Sequence, residues 1–152
     1  MNFESITEES LNLALDIMNS NPTYNMIENG NPVRTIKEVR SELLNSTTNS
    51  YLIKMNEEPI GIIDFLDHNP KDNHPWIGLF MIHGAYHSLG YGKKAYVAFE
   101  ESLKQQHFKK IRLGVLDNNE QAKRFWRSVG YSFYGKSEWE GKVVDCFEKK
   151  LE

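Results

Sequence analysis

The chain has 152 residues at 17.7 kDa, the size of one ordinary domain; a compact chain of this length buries roughly 68–70% of its unfolded surface without disulfides or structural metal. Its composition, 39% hydrophobic, 12% aromatic and 26% charged, excludes a disordered or low-complexity chain, and the single cysteine, Cys146, excludes an intramolecular disulfide. The net charge of −3 is uneven, because residues 87–136 carry ten Lys/Arg against four Asp/Glu, a +6 that leaves −9 elsewhere.

That basic stretch fits a polyanionic ligand or a plain solvated face, and its spread over several elements argues against wholesale nucleic-acid binding. A charged-then-apolar leader is missing, as is any apolar run near the roughly 18 residues a span needs, so the expectation is a cytoplasmic protein with no membrane partner.

Residues 2–6 alternate as a short strand. Thr7 with Glu8 and Glu9 then opens a helix whose Leu11, Ala14, Leu15 and Met18 repeat at i, i+3, i+4, i+7, one buried face. Residues 19–34, rich in Asn, Pro and Gly, read as a long loop. Thr35 and Glu38 form a capping box for a second helix, striped by Ile36, Val39, Leu43 and Leu44 and ending near Asn45. From Tyr51 the period changes to that of strands: 51–55 and 60–66 flank the polar turn 56–59 as a hairpin, with Pro59 where a strand can begin. After a polar loop at 68–75, Trp76 to Ile82 is a continuous apolar run that fits a strand buried on both faces, the centre of the sheet.

The Gly-containing stretch 84–92 leads into a helix striped by Ala95, Tyr96, Phe99 and Leu103, and 111–116 is a further strand. Asn119 opens a short helix with Ala122, Phe125, Trp126 and Val129 on one face and Gly130 as its left-handed stop. Strands 131–137 and 143–149 flank 138–141 as a closing hairpin. The order predicts one domain, 1–152, of mixed α/β class: seven strands and four helices, without internal repeats.

The sharpest chemical signal is His87-Ser88-Leu89-Gly90-Tyr91-Gly92-Lys93-Lys94, placed between the buried strand and an amphipathic helix. Glycines let backbone N–H groups approach an anion there, and the helix N-terminus adds partial positive charge. A tight turn that needs glycine only for its backbone is the plain alternative. A Walker loop fails twice, at His87 where it needs Gly and at Lys94 where it needs Ser or Thr. A dinucleotide fingerprint is met on paper by Gly90, Gly92 and Ala95. It lacks the opening βαβ position, and its candidate acid, Asp117, comes late.

Ile82-x-x-x-Tyr86-His87-x-x-Gly90-Tyr91-Gly92, followed after a helix and a strand by Asn119-x-x-Ala122-x-x-Phe125-Trp126-x-x-x-Gly130-Tyr131, resembles the GCN5-related N-acetyltransferase (GNAT) family. The element order extends the resemblance to nearly the whole chain. It implies a mostly antiparallel seven-stranded sheet with a splayed central pair, acetyl-coenzyme A as co-substrate, and transfer of the acetyl group to a primary amine in a ternary complex. Phe80, Met81 and Ile82 would contact pantetheine, beside a bulge near Phe80 whose freed N–H groups could face the oxyanion. Residues 87–93 would cradle the pyrophosphate, and Asn119 and Trp126 would lie beside the far end of the arm.

Three positions depart from the family pattern. His87 stands where Arg or Gln is usual, which touches only a side-chain contact. Trp126 stands where many members place a Tyr as acid for the departing thiol, and an indole N–H does not protonate a thiolate. Tyr131 and Tyr134 are the substitutes, with packing as their plain role. Trp76 stands where some relatives carry a Glu as base. Asp64 is the candidate instead, because it interrupts the apolar run 60–66; an exposed end of an edge strand would also explain it.

Asp67, Glu138 and Glu140 could meet a cationic amine, and Trp76, Trp126 and Trp139 could line its pocket or sit in the core. The histidines have no recognised metal-ligand spacing, so no metal is expected. Cys146 reads as a packed strand residue. The acceptor is expected to be a cationic small molecule or a peptide amine, and the C-terminal hairpin offers strands for a homodimer. A module that binds acyl-coenzyme A without turnover is the alternative function.

Overall fold

A computed structural model describes residues 1–152. Its chain order is β1 (Asn2–Ser5), α1 (Leu11–Asn19), α2 (Pro22–Asn29), α3 (Ile36–Leu43), β2 (Asn49–Met55), β3 (Glu58–Asn69), β4 (His74–Ile82), α4 (Tyr91–Gln105), β5 (Lys110–Leu116), α5 (Glu120–Ser128), β6 (Ser132–Trp139) and β7 (Lys142–Lys150). Single 3-10 turns lie at Glu8–Ser10 and Gly84–Tyr86. All seven strands join one sheet in the order β1-β2-β3-β4-β5-β7-β6.

Alternation along the strands divides the core in two. Leu52, Ile62, Leu79 and Met81 face α1 and α3, whereas Ile53, Ile63, Phe65 and Ile77 face α4 and α5. A strand side chain changes face at each residue, so neighbours such as Ile62 and Ile63 enter opposite cores and both are fully buried. This is why β3 and β4 read as continuous apolar runs.

Two turns are tighter than the sequence reading. Asn56 and Glu57 both take positive φ, as do Glu140 and Gly141, so each hairpin closes on two residues, with the twist that suits paired strands. Pro59 therefore lies inside β3, where the pairing slips beside Lys54 and no ladder hydrogen bond is needed from it.

The long loop expected over 19–34 contains a helix, α2, giving five helices instead of four. Pro22 occupies its first turn, where a missing N–H costs nothing, and Gly30 ends it in the left-handed conformation at φ 74°. Polar composition concealed it, because its one fully buried residue is Asn25. Asn25 donates to the carbonyls of Met18 and Pro32 at 2.9 and 3.0 Å and so pins both ends of the segment.

Every neighbouring pair is antiparallel except β4 and β5. That parallel pair is joined only through Trp76↔Arg112 and Ile77↔Leu113, after which the strands separate. The sheet thus opens at its centre. One parallel contact is not the doubly wound parallel sheet that a dinucleotide fold requires, so the Gly90/Gly92 fingerprint lacks its architecture.

Candidate active site: the split between β4 and β5

Beyond Ile77 and Leu113, residues 78–82 of β4 and 114–116 of β5 have no partner across the split. Each strand stays paired on its other side, with β3 and β7 respectively. The result is a cleft of about 610 Å³ whose walls include Gly78, Leu79 and Phe80 on one side and Leu113 to Leu116 on the other. A bulge adds to the divergence: Asp64 pairs with Leu79 and Phe65 with Ile77, leaving Gly78 unmatched. The irregularity falls at Gly78, two residues before the position expected from Phe80.

At the C-terminal end of β4 the chain turns through residues 83–90 into α4. Ser88 and Gly90 adopt positive φ, 63° and 82°. Six consecutive backbone N–H groups, Ser88 through Lys93, donate to no protein acceptor; the first helical bond here runs from Lys94 N–H to the Gly90 carbonyl. Such a row at a helix N-terminus is an anion cradle, and the exposed Lys93 and Lys94 add charge beside it. Gly92 packs closely, since a Cβ there would stand 3.4 Å from the Phe125 ring and 3.7 Å from Ile82. The donors therefore suit a diphosphate, and the extended unpaired strand edge suits an amide-bearing arm; the residues present fit acetyl-coenzyme A.

Among the residues proposed for the cofactor, Phe80, Asn119 and Trp126 line the cleft. Asn119 is also the N-cap of α5, its Oδ1 accepting from Ala122 N–H at 3.1 Å. Met81 and Ile82 point into the two cores, so only their backbone can meet a ligand. The His87 ring, through Nε2, lies 2.7 Å from the Ile82 carbonyl oxygen and is occupied in holding the loop. Trp126 is packed edge-on against Phe80, Tyr96 and Tyr131, with centroids 5.6, 5.5 and 5.2 Å away.

Of the two phenols considered for the thiol, Tyr131 is buried and accepts from Tyr96 Oη at 2.8 Å, away from the cleft. Tyr134 lines it, under the Arg112 guanidinium at 4.5 Å. Burial, then the neighbouring Cys146, push its hydroxyl up to about 12, so it stays protonated at neutral pH. All three tryptophans, Trp76, Trp126 and Trp139, line the cleft, as do Cys146 and Glu138; Asp67 and Glu140 do not.

Asp64 is buried, not at an exposed strand end, and is absent from the cleft surface. Its Oδ1 accepts from Ser50 Oγ at 2.5 Å and from Thr48 Oγ1. Its Oδ2 lies behind the bulge, 3.0 Å from where a Gly78 Cβ would stand. Burial raises its carboxyl above the usual range, against the two hydroxyls.

The acids that do face the cleft, beyond those named from sequence, are Glu28, Glu42 and Asp72. Glu28 and Glu42 share Arg34, at 2.8 and 2.6 Å, and Arg34 is 2% exposed. The sequence reading missed this group. Its one local signal is Tyr24 and Glu28 at helical spacing, which are hydrogen bonded, within a stretch that reads as loop.

No helix is long and apolar enough to cross a membrane. A split parallel pair that ends in a glycine-bearing row of free N–H groups has the shape and donors that suit an acyl-coenzyme A arm. The Acetyltransferase (GNAT) family profile matches residues 15–131, and the chain belongs to that family, whose co-substrate is acetyl-coenzyme A.

Similar structures include an acetyltransferase from Thermus thermophilus, 19% identical, with a TM-score of 0.81 over 99% of this chain and 96% of that one. An aminoglycoside 6′-N-acetyltransferase complexed with coenzyme A is 13% identical, with a TM-score of 0.69 over 100% and 98% of the two chains. In sequence, the spermine/spermidine N(1)-acetyltransferase of Bacillus subtilis (strain 168) is 29% identical over 85 residues, 55% of this chain and 56% of that protein. The match thus spans about half the length of that curated relative.

Proposed function

We propose that this protein transfers the acetyl group of acetyl-coenzyme A to a primary amine by direct attack in a ternary complex. One observation carries the reading: the split edge of β4 leads directly into six free N–H groups at Ser88–Lys93. Pantetheine would pair along Gly78 to Ile82 through backbone, and the pyrophosphate would lie against His87, Ser88, Leu89, Gly90, Tyr91, Gly92 and Lys93. Asn119 and Trp126 would border the arm.

The neutral amine attacks the thioester carbonyl, so a C–N bond forms and the C–S bond breaks. Backbone N–H groups at the Gly78 bulge face the developing oxyanion. A thiol near 8.5 leaves far more readily than an amine near 10.4, so loss of the usual Tyr at Trp126 does not remove the reaction, and Tyr134 supplies a phenol in the cleft. The ammonium proton goes to a carboxylate at the Glu28/Glu42 end of the cleft, with Asp64, the candidate from sequence, behind its wall.

A cationic acceptor is supported by these acids and by the likeness to a polyamine acetyltransferase. The free edge of β6, with Phe133 and Trp139 exposed, is where a second copy would pair.

Thermal melts with acetyl-coenzyme A, coenzyme A and NAD, followed by thiol release with spermidine, a lysine peptide and a simple primary amine, test the reading. Stabilisation by both coenzyme A forms and amine-dependent thiol release are expected. Stabilisation without thiol release would favour the binding module, for which Trp126 and Trp76 at the expected Tyr and Glu positions speak, and no stabilisation would refute the cleft assignment.

A further inference from the structure

Glu42 lies near the end of α3, with its side chain about one-third exposed on the cleft. Its Oε2 accepts from Arg34 Nη1 at 2.6 Å, and Oε1 has no protein donor. The rest of the guanidinium is committed, Nη2 to Glu28 at 2.8 Å and Nε to Asn25 at 2.9 Å. Glu28 is the more enclosed carboxylate and also accepts from the Tyr24 hydroxyl. One guanidinium thus serves two carboxylates, which leaves one negative charge in excess, and Glu42 has the free oxygen.

Asp64, the candidate from sequence, has both hydroxyl donors on one oxygen and the cleft wall in front of it. It still acts on Glu42 through space. Burial pushes the Glu42 carboxyl up to about 7, Arg34 opposes this, and Glu28 and Asp64 add to it. The other charged groups on this cleft are Lys71, Asp72, Arg112, Lys136 and Glu138, on its remaining walls.

We propose that Glu42, aimed into the cleft by the buried Arg34, is the base that takes the proton from the acceptor ammonium. The inference rests on the acetyl-transfer reading above. The ammonium gives one proton to Glu42 Oε1 and keeps the electron pair, which forms the C–N bond. As the C–S bond breaks, the Tyr134 phenol gives its proton to the departing thiolate and regains one from the same nitrogen, and Glu42 releases its own to solvent. Arg34 is a positioning residue in this scheme.

The test is the pH profile of kcat/KM, with the best amine of the three, for the wild type, Glu42→Gln, Glu42→Asp and Asp64→Asn. Each is accompanied by a melt with and without acetyl-coenzyme A. The wild type is expected to gain activity as pH rises through about 7, where Glu42 loses its proton. Glu42→Gln is expected to lose that limb and about 100-fold in rate at pH 7, then to recover toward pH 10 as the amine deprotonates itself, with its acetyl-coenzyme A shift intact. Glu42→Asp keeps a limb at lower rate and decides the matter should the glutamine variant not fold. Asp64→Asn keeps the limb but moves it to lower pH, because a neighbouring negative charge is gone.

Glu42→Gln with a wild-type profile, or Asp64→Asn without a limb, overturns Glu42 while leaving acetyl transfer in place. Loss of the acetyl-coenzyme A shift in Glu42→Gln makes the residue structural and also overturns it. A wild type that binds acetyl-coenzyme A but acetylates no amine removes the reaction and this inference together.

Discussion

Gly90 and Gly30 allow the anion cradle to be separated from ordinary backbone strain. Both are left-handed, at φ 82° and 74°, both lie at a helix end, and a Cβ added to either meets nothing within 4 Å. Alanine at either position has the same intrinsic penalty of roughly 1–2 kcal/mol, partly offset by a less flexible unfolded chain, for a net loss of about 1 kcal/mol. In a domain of this size that is roughly 2–4 °C of Tm. The two variants should therefore melt alike without ligand. Acetyl-coenzyme A at 100 times its Kd should stabilise the wild type and Gly30→Ala by roughly 2.7 kcal/mol. If Gly90→Ala misplaces the donors and weakens binding tenfold, its gain falls to about 1.4 kcal/mol, about half the shift. Differential scanning fluorimetry over a ligand series measures both quantities. Equal ligand shifts in the two glycine variants would refute the cradle at Ser88–Lys93, whatever their own melting temperatures.

Two more substitutions probe the walls. Tyr134→Phe should lower the rate of thiol release about tenfold while leaving the acetyl-coenzyme A shift unchanged, since the ring under Arg112 is kept; a stopped-flow thiol assay with unaltered rate would return Tyr134 to a packing role. Asp145 pairs with Lys123 at 2.8 Å, both side chains under 10% exposed, and ties α5 to β7. Burial raises the Asp145 carboxyl, but hydrogen bonds from Lys123 and Lys136 outweigh this and hold it below the usual range. Its stabilisation is then present above the ordinary carboxylate pKa and lost as pH falls through the depressed one. Asp145→Asn should cost about 3 kcal/mol at neutral pH, the low end for a broken buried pair because Lys123 keeps the Asp117 carbonyl, and urea melts at pH 7 and pH 3 should show the deficit shrinking in acid.

What could be read from sequence was whatever neighbours along the chain decide. Helical stripes such as Leu11/Ala14/Met18, the Thr35–Glu38 capping box, the apolar run of β4 and the glycines before α4 each follow from local stereochemistry and side-chain period. Those signals place the glycine-bearing loop before α4 and Asn119 at the start of α5, where the structure has them. The helix α2 escaped because a polar segment anchored by one buried Asn leaves no apolar period. Asp64 drew notice as an acid in an apolar run, and burial did explain it, but the direction of its side chain did not follow from the run. The Gly78 bulge places it behind the cleft wall.

The separation of β4 from β5 after a single pair of contacts, the three tryptophans meeting around one cleft, and Arg34 between Glu28 and Glu42 were decided only in three dimensions. Coulomb energies and desolvation depend on distance and depth in the folded molecule, and spacing along the chain carries neither. Local chemistry therefore determined which segments could build an acyl-coenzyme A cleft, while tertiary packing decided which carboxylate stands in it.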